Sequence, residues 1–154
     1  MTDIKLILAN FDARIPHISI KPRNTNSKVI ISSRMYDEGA DKEIPVKIHF
    51  SKVVAIDFRI NLFDSMIGAE AFGLYCVDDK NFIISVVNGI FDRRKEIFLM
   101  EGDYDYDEAN EHDLLNCLDI SGKFEESIEE YKAYIQNVDA GVYLIVAKEI
   151  RIER

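Results

Sequence analysis

The amino-acid sequence predicts an α+β fold, in which one late amphipathic helix packs on a mainly antiparallel β-sheet. Three observations carry this prediction: a long stretch of alternating apolar and polar residues, a helical stripe in the last third of the chain, and an apolar C-terminal segment. Predicted strands come in a run and are not interleaved with helices, which is typical of α+β rather than α/β proteins.

The alternating stretch is IPVKIHFSKVVAIDFRINLF, residues 44–63. Its even positions from Val46 onward are apolar except at Lys52, and polar side chains occupy most of the odd positions. A period of two buries one face of a strand and leaves the other in water, as an antiparallel sheet allows. We therefore expect one long bent strand, or two strands that break near Ser51 and Lys52.

Two shorter segments precede this stretch and predict a hairpin. PHISIK (16–21) and KVIISSRMY (28–36) are rich in β-branched residues, and the residues between them are turn formers. Such a pair of runs around a polar turn is typical of two adjacent antiparallel strands.

The segment 81–98 fits two interpretations. AEAFGLYCV and NFIISVV flank a polar turn at 78–80, as the strands of a third hairpin would, and Asn88-Gly89 is a turn-forming pair. The apolar residues from Phe82 to Phe98 also follow a helical stripe. The turn-forming pair favours strands here, and a helix is the alternative.

The last third of the chain predicts a helix and a strand. Ser121 can cap a helix over 121–137, whose apolar face is Phe124, Ile128, Tyr131 and Ile135. A strand over about 141–153 follows, and its apolar residues from 143 to 147 lie on both faces, which favours a central position in the sheet.

Length and composition predict a single domain over residues 1–154. The chain has 154 residues and is 47% hydrophobic, enough for a core without disulfides, and it contains no repeat or flexible linker. Cys76 and Cys117 form no CxxC motif, so we expect reduced, buried thiols. With no signal sequence and no apolar run of about 20 residues, we expect a cytoplasmic protein that does not contact the membrane.

The negative charge is concentrated in one segment. Residues 101–130 contain twelve Asp/Glu and one Lys, a net charge of −11, whereas the remaining residues carry a net charge of +2. Phosphate binding needs a basic stripe, and the only basic cluster in the sequence is residues 93–95. The sequence therefore argues against direct binding of nucleic acid.

The acidic segment opens with EGDYDYDEANEHD, residues 101–113. Its first aspartates have the spacing of a calcium loop, but Glu108 and Leu114 stand where an EF-hand needs glycine and a bidentate glutamate. The histidines at 17, 49 and 112 lack the spacing of a metal site, and we expect His17 and His49 to be ordinary surface residues. No nucleophile, phosphate-loop or dinucleotide motif occurs, so we expect no cofactor, and a non-enzymatic role is favoured.

Tyrosines alternating with aspartates favour a surface that binds a basic protein partner, because tyrosine is enriched at interface hot spots and acidic patches attract cationic proteins. The predicted partner-binding residues are Asp103, Tyr104, Asp105, Tyr106, Asp107, Glu108, Glu111 and Asp113.

Three functional hypotheses follow from the sequence. The first is a non-enzymatic acidic protein-binding module, of the immunity or antitoxin type, that inhibits a basic nuclease-like partner. The second is a divalent-metal-binding protein or metal-dependent hydrolase that uses Glu111, His112 and Asp113. The third is an oligomeric component that associates through a sheet edge. A solvated loop that only aids solubility stays open as the interpretation of residues 101–113.

Overall fold

The computed structural model describes residues 3–8, 13–21, 26–60, 70–100, 128–138 and 141–154. Within these ranges the chain forms seven strands, one α-helix and one 3-10 turn. In chain order they are β1 (Asp3–Leu8), β2 (Ala13–Lys21), β3 (Lys28–Asp37), β4 (Lys42–Ile60), β5 (Glu70–Asp78), α1 (Lys80–Met100), the 3-10 turn (Ile128–Glu130), β6 (Lys132–Val138) and β7 (Gly141–Glu153).

The strands form one antiparallel sheet in the order β1-β5-β2-β3-β4-β7-β6. An additional pairing of β5 with β6 curls the sheet into a half-barrel. β1 and β2 pair with successive parts of β5, so they follow one another along the same edge of that strand. The prediction of a mainly antiparallel α+β fold is confirmed at this level.

The predicted hairpin and the long strand are both present. β2 pairs with β3, and residues 42–60 form a single strand, which confirms the one-strand alternative. Lys52 has a positive φ of 54°, and the pairing of β4 with β7 shifts between Val53 and Ala55. The irregularity therefore lies where Lys52 interrupts the alternation of apolar residues.

The core consists of the inward-facing residues of the curled sheet. Alternation predicts the burial of Val46, Ile48 and Phe50, and each of them is fully buried. The ring of Phe50 lies 5.3 Å from that of Tyr134, centroid to centroid. Aromatic side chains from β4 and β6 thus join strands that are distant in sequence but meet inside one sheet.

The C-terminal strand runs from Gly141 to Glu153, as the sequence predicts. β7 pairs with β4 on one side and with β6 on the other over residues 141–147, where Tyr143, Ile145, Val146 and Ala147 are fully buried. Its central position, inferred from apolar residues on both faces, is confirmed.

The prediction of a late helix over 121–137 is wrong where the structure describes that segment. Residues 128–130 form a 3-10 turn, and residues 132–138 form β6, which pairs with both β5 and β7. Residues 121–127 lie outside the described ranges. The helical stripe includes Tyr131 and Ile135, but aromatic and β-branched residues also favour strands. Hydrogen-bonded neighbours on both sides outweigh the local periodicity.

The preference for strands over 81–98 is also wrong, because α1 spans Lys80–Met100. Ile83 and Val87, one helical turn apart, are buried, whereas Asn88 and Gly89 are exposed on the helix. The helix contacts the 3-10 turn, in which Ile128 is buried. The helical stripe thus outweighs the turn-forming pair.

The chain divides into two compact units, one comprising residues 1–79 and 131–154 and the other residues 80–130. The first is called here the sheet unit and the second the connecting unit. A single domain over 1–154 stays a prediction. None of the helices within the described ranges has the length and apolarity needed to cross a membrane. Cys76 is buried and unpaired, in line with the sequence, and Cys117 lies outside the described residues.

Candidate interaction site

The residues predicted to bind a partner lie outside the described part of the chain. This holds for Asp103, Tyr104, Asp105, Tyr106, Asp107, Glu108, Glu111 and Asp113, and for His112 of the alternative metal site. The structure describes α1 before this segment and the 3-10 turn after it. The assigned roles of these residues therefore stay predictions.

The elements on either side place the acidic segment in a long connection between two paired strands. Val77 of β5 lies opposite Ala133 of β6, and Cys76 lies opposite Tyr134. β5 and β6 are thus antiparallel neighbours, which a hairpin loop of 2–5 residues ordinarily joins. Here residues 79–131 join them instead. Segments that connect strands carry binding residues disproportionately often.

Ion pairs lie at both ends of this connection. In the sheet unit, Lys132 Nζ is 3.4 Å from Asp78 Oδ2, at the end of β5 and the start of β6. In the connecting unit, Lys80 at the start of α1 pairs with Glu129 of the 3-10 turn. Exposed pairs of this kind contribute little to stability. The first pair shows that the end of β5 is close to the start of β6, and the second shows that the start of α1 is close to the 3-10 turn.

The two units differ sharply in charge. Residues 80–130 contain fourteen Asp/Glu and five Lys/Arg, a net charge of −9, which equals the net charge of the whole chain. The sheet unit contains fourteen residues of each sign and is neutral. The excess of negative charge therefore belongs entirely to the connecting unit.

Charged residues on the solvent-exposed face of the sheet form ion pairs with one another. His49 Nε2 is 2.7 Å from Glu153 Oε2, and Lys52 Nζ donates to Glu149 Oε1 at 2.8 Å. The hydrogen bond from His49 lowers the pKa of Glu153, and the hydrogen bond from Lys52 lowers the pKa of Glu149. Both carboxylates thus serve as paired acceptors, in line with the expected surface role of His49.

The buried thiol is poorly suited to nucleophilic chemistry. Burial raises the pKa of Cys76, and the nearby Lys132 opposes this only in part. Burial also raises the pKa of Tyr134, which lies opposite Cys76, to about 12. Reactive cysteines have a lowered pKa and an accessible sulfur, so Cys76 is a core residue.

Metal ligands are also not brought together in the described ranges, where no group of three His, Cys, Asp or Glu side chains has the geometry of a cation site. Glu111, His112 and Asp113 fall outside those ranges, so the metal alternative is untested there.

An exposed apolar cluster on β1 and β5 escapes the sequence analysis, which predicts no strand before residue 16. Ile4, Leu6 and Tyr75 are among the most exposed large apolar side chains, and Leu6 lies opposite Tyr75. Gly73 leaves room for the Leu6 side chain, since a Cβ at that glycine would stand 2.8 Å from Leu6 Cδ1. The signal in the sequence is the short alternation DIKL at residues 3–6, which is too brief to predict a strand by itself.

No family model, curated protein or solved structure matches this chain.

Proposed function

We propose that this chain is a non-enzymatic protein-binding module whose acidic connecting unit docks on a basic partner. One observation carries the proposal: all of the net negative charge lies in a connection between two strands that pair directly with each other. The hydrogen bonds between β5 and β6 are formed by the two strands themselves and do not involve this connection. The charged segment is therefore better explained as a binding element than as part of the scaffold.

The partner that fits this charge distribution is a protein with a cationic cleft, of the kind that nucleases use to hold phosphates. An acidic patch steers such a partner and raises the association rate by about 10- to 1,000-fold at low ionic strength. The tyrosines at 104 and 106 would supply contact area within the patch. The role we infer is that of an immunity or antitoxin-like inhibitor that acts in the cytoplasm.

The test compares two variants that each remove three negative charges. One carries Asp103→Asn, Asp105→Asn and Asp107→Asn in the acidic segment. The control carries Glu38→Gln, Asp41→Asn and Glu43→Gln, three exposed positions in and beside the turn between β3 and β4. A partner is sought by affinity capture from the native cell, and its association rate is then measured with purified components at several salt concentrations.

We expect the wild type and the control to retain the same basic protein and to inhibit its nuclease activity. The acidic-segment variant should bind it with an association rate about tenfold lower at low salt, with the difference shrinking as salt screens the charges. Capture of no basic protein that distinguishes the two variants would contradict the proposal. Calorimetry with calcium, magnesium, manganese and zinc separates the alternative, since a saturable site lost in Glu111→Gln would favour a metal-dependent role.

A further inference from the structure

The first strand has one hydrogen-bonding edge without a partner among the described residues. β1 pairs with β5 alone, at the end of the strand order, whereas the long strand β4 pairs with β3 over residues 42–51 and with β7 over residues 47–60. An unpaired edge is a template for adding another strand. Among the described strands, β1 is therefore the one whose second edge has no strand partner at any position.

The exposure of the apolar side chains changes abruptly between β5 and β1. Val77 of β5 is 4% exposed, and Ile4 of β1, directly opposite it, is 59% exposed. Opposite residues in an antiparallel pair share a face of the sheet, so Val77 and Ile4 belong to one apolar row. That row continues to the edge and ends in water at Ile4.

The other face of β1 carries two opposite charges without ion-pair partners in the described part of the chain, Asp3 and Lys5. Asp3 also lies opposite Asp78 of β5. Like charges directly opposite each other destabilise a sheet, so Asp3 is a position where an added positive charge would be favourable.

We propose that two copies of this chain associate through antiparallel pairing of their β1 strands across a twofold axis. An interface with this symmetry brings the same patch from both copies together. With Ile4 on the axis, Ile4 meets Ile4 of the second copy, and each Asp3 meets the Lys5 of the other copy. Centring the axis on Asp3 or on Lys5 instead would oppose identical charges. Centring it on Leu6 would oppose Lys5 to Ile7 and leave both charges without an opposite charge. Of the registers centred on residues 3–6, the one on Ile4 is therefore the one that pairs each charge with its opposite.

A lysine on an edge strand often serves to prevent association. In this register each Lys5 faces an aspartate, so its charge discriminates between partners and favours a second copy. The apolar row then runs from Val77 through both Ile4 side chains to Val77 of the second copy. A contact between two short strands lies at the small end of interface sizes, and we expect a reversible dimer in the micromolar range.

The test exchanges charges so that each variant rejects itself and accepts the other. Lys5→Asp leaves two acids on β1, and Asp3→Lys leaves two bases. Sedimentation velocity of the full chain should show the wild type dimerising with rising concentration. Each variant alone should dimerise with a dissociation constant raised about tenfold, because two like-charge contacts replace two ion pairs. An equimolar mixture should restore the dimer.

Three outcomes overturn the proposal: a wild type that stays monomeric up to near-millimolar concentration, variants that dimerise as well as the wild type, and a mixture that stays monomeric while both variants keep the wild-type circular dichroism spectrum. Glu38→Lys, on an exposed turn away from β1, is the control and should dimerise like the wild type. The association does not involve the acidic segment. The Asp103, Asp105 and Asp107 variant should therefore still dimerise, so this inference and the proposed function can fail separately.

Discussion

Ser33 is an unusual residue in the core of the sheet. Its side chain is 4% exposed, it lies opposite the fully buried Val46, and its hydroxyl has no hydrogen-bond partner in the described structure. A buried hydroxyl that loses its bonds to water without replacing them lowers the free energy of unfolding by about 1–3 kcal/mol. Ser33 lies in the same buried row of β3 as Val29, Ile31 and Met35, so its burial follows from the pattern of the strand, but its lack of a hydrogen-bond partner does not.

We expect Ser33→Ala to raise the free energy of unfolding by about 1 kcal/mol, because the change removes an unsatisfied group and little volume. The measurement is urea unfolding followed by circular dichroism. Ser32→Ala, at the neighbouring half-buried position on the other face, is the matched control and should change stability by less than about 0.5 kcal/mol. A loss of stability in Ser33→Ala would mean that the hydroxyl does have a partner.

The hydrogen bond between His49 and Glu153 has a consequence that titration detects. The pKa of Glu153 lies below its ordinary value of 4.5 because His49 holds its carboxylate. A pKa lowered on folding stabilises the folded state above the unfolded value, and this contribution is lost as the pH falls through the folded pKa. In His49→Ala the pKa of Glu153 should rise toward 4.5.

Carbon-13 NMR of the side-chain carboxyls measures this shift, and Glu149 is the internal control. Its pKa is lowered by Lys52 rather than by His49, so it should stay low in His49→Ala and rise in Lys52→Ala. Equal shifts of both glutamates in either variant would instead point to a general change in the charge of the surface.

At the level of elements, the local sequence pattern predicts a strand correctly where pairing with distant strands does not decide its conformation. β4 and β7 have burial that follows directly from their own residues, and their extent is predicted well. β6 differs, because its place between β5 and β7 depends on partners far along the chain. Gln136 illustrates this: it is buried in β6, accepts from Tyr143 and donates to the carbonyl of Phe72, 64 residues away. No window of sequence around 136 contains that information.

For α1 the error is the opposite one. The helical stripe predicts the helix correctly, whereas the turn-forming pair Asn88-Gly89 argues wrongly for strands. Gly89 is exposed within α1, and a Cβ there would meet no atom within 4 Å. Gly89→Ala should therefore stabilise the helix by about 1 kcal/mol, the ordinary difference between these residues inside a helix. Hydrogen exchange of the α1 amides measures it, and exchange should slow.

The contrasting variant is Gly73→Ala in β5, where the new Cβ would stand 2.8 Å from Leu6 Cδ1, so the exposed Leu6 side chain must turn away and exchange in α1 should not slow. If residues 88 and 89 instead formed a hairpin turn with positive φ, Gly89→Ala would destabilise the protein. Faster exchange in α1 after this substitution would thus contradict the helix.

For the whole molecule, the sequence predicts where the negative charge is concentrated, but it does not predict that this segment connects two paired strands. Counting residues places the acidity near 101–130. Only the pairing of β5 with β6 identifies residues 79–131 as a connection between neighbouring strands, because the predicted helix over 121–137 would have made the same residues part of the scaffold. The predicted binding residues depend on this placement, since a connection can carry a binding segment while the sheet keeps its ladder.

The strongest test of this division replaces residues 80–130 by a two-residue Asn-Gly turn between Asp79 and Tyr131. Because β5 and β6 already pair, we expect the shortened chain to keep the antiparallel sheet, with NMR contacts between Val77 and Ala133 as in the full chain. Its net charge becomes zero, so its solubility near neutral pH should fall. A second shortened chain carrying Cys76→Pro, which removes a backbone donor from a strand that has neighbours on both sides, is the control and should not fold. If the first shortened chain is unfolded as well, the connecting unit is part of one indivisible domain over residues 1–154, and the proposal that it is a separable binding element is wrong.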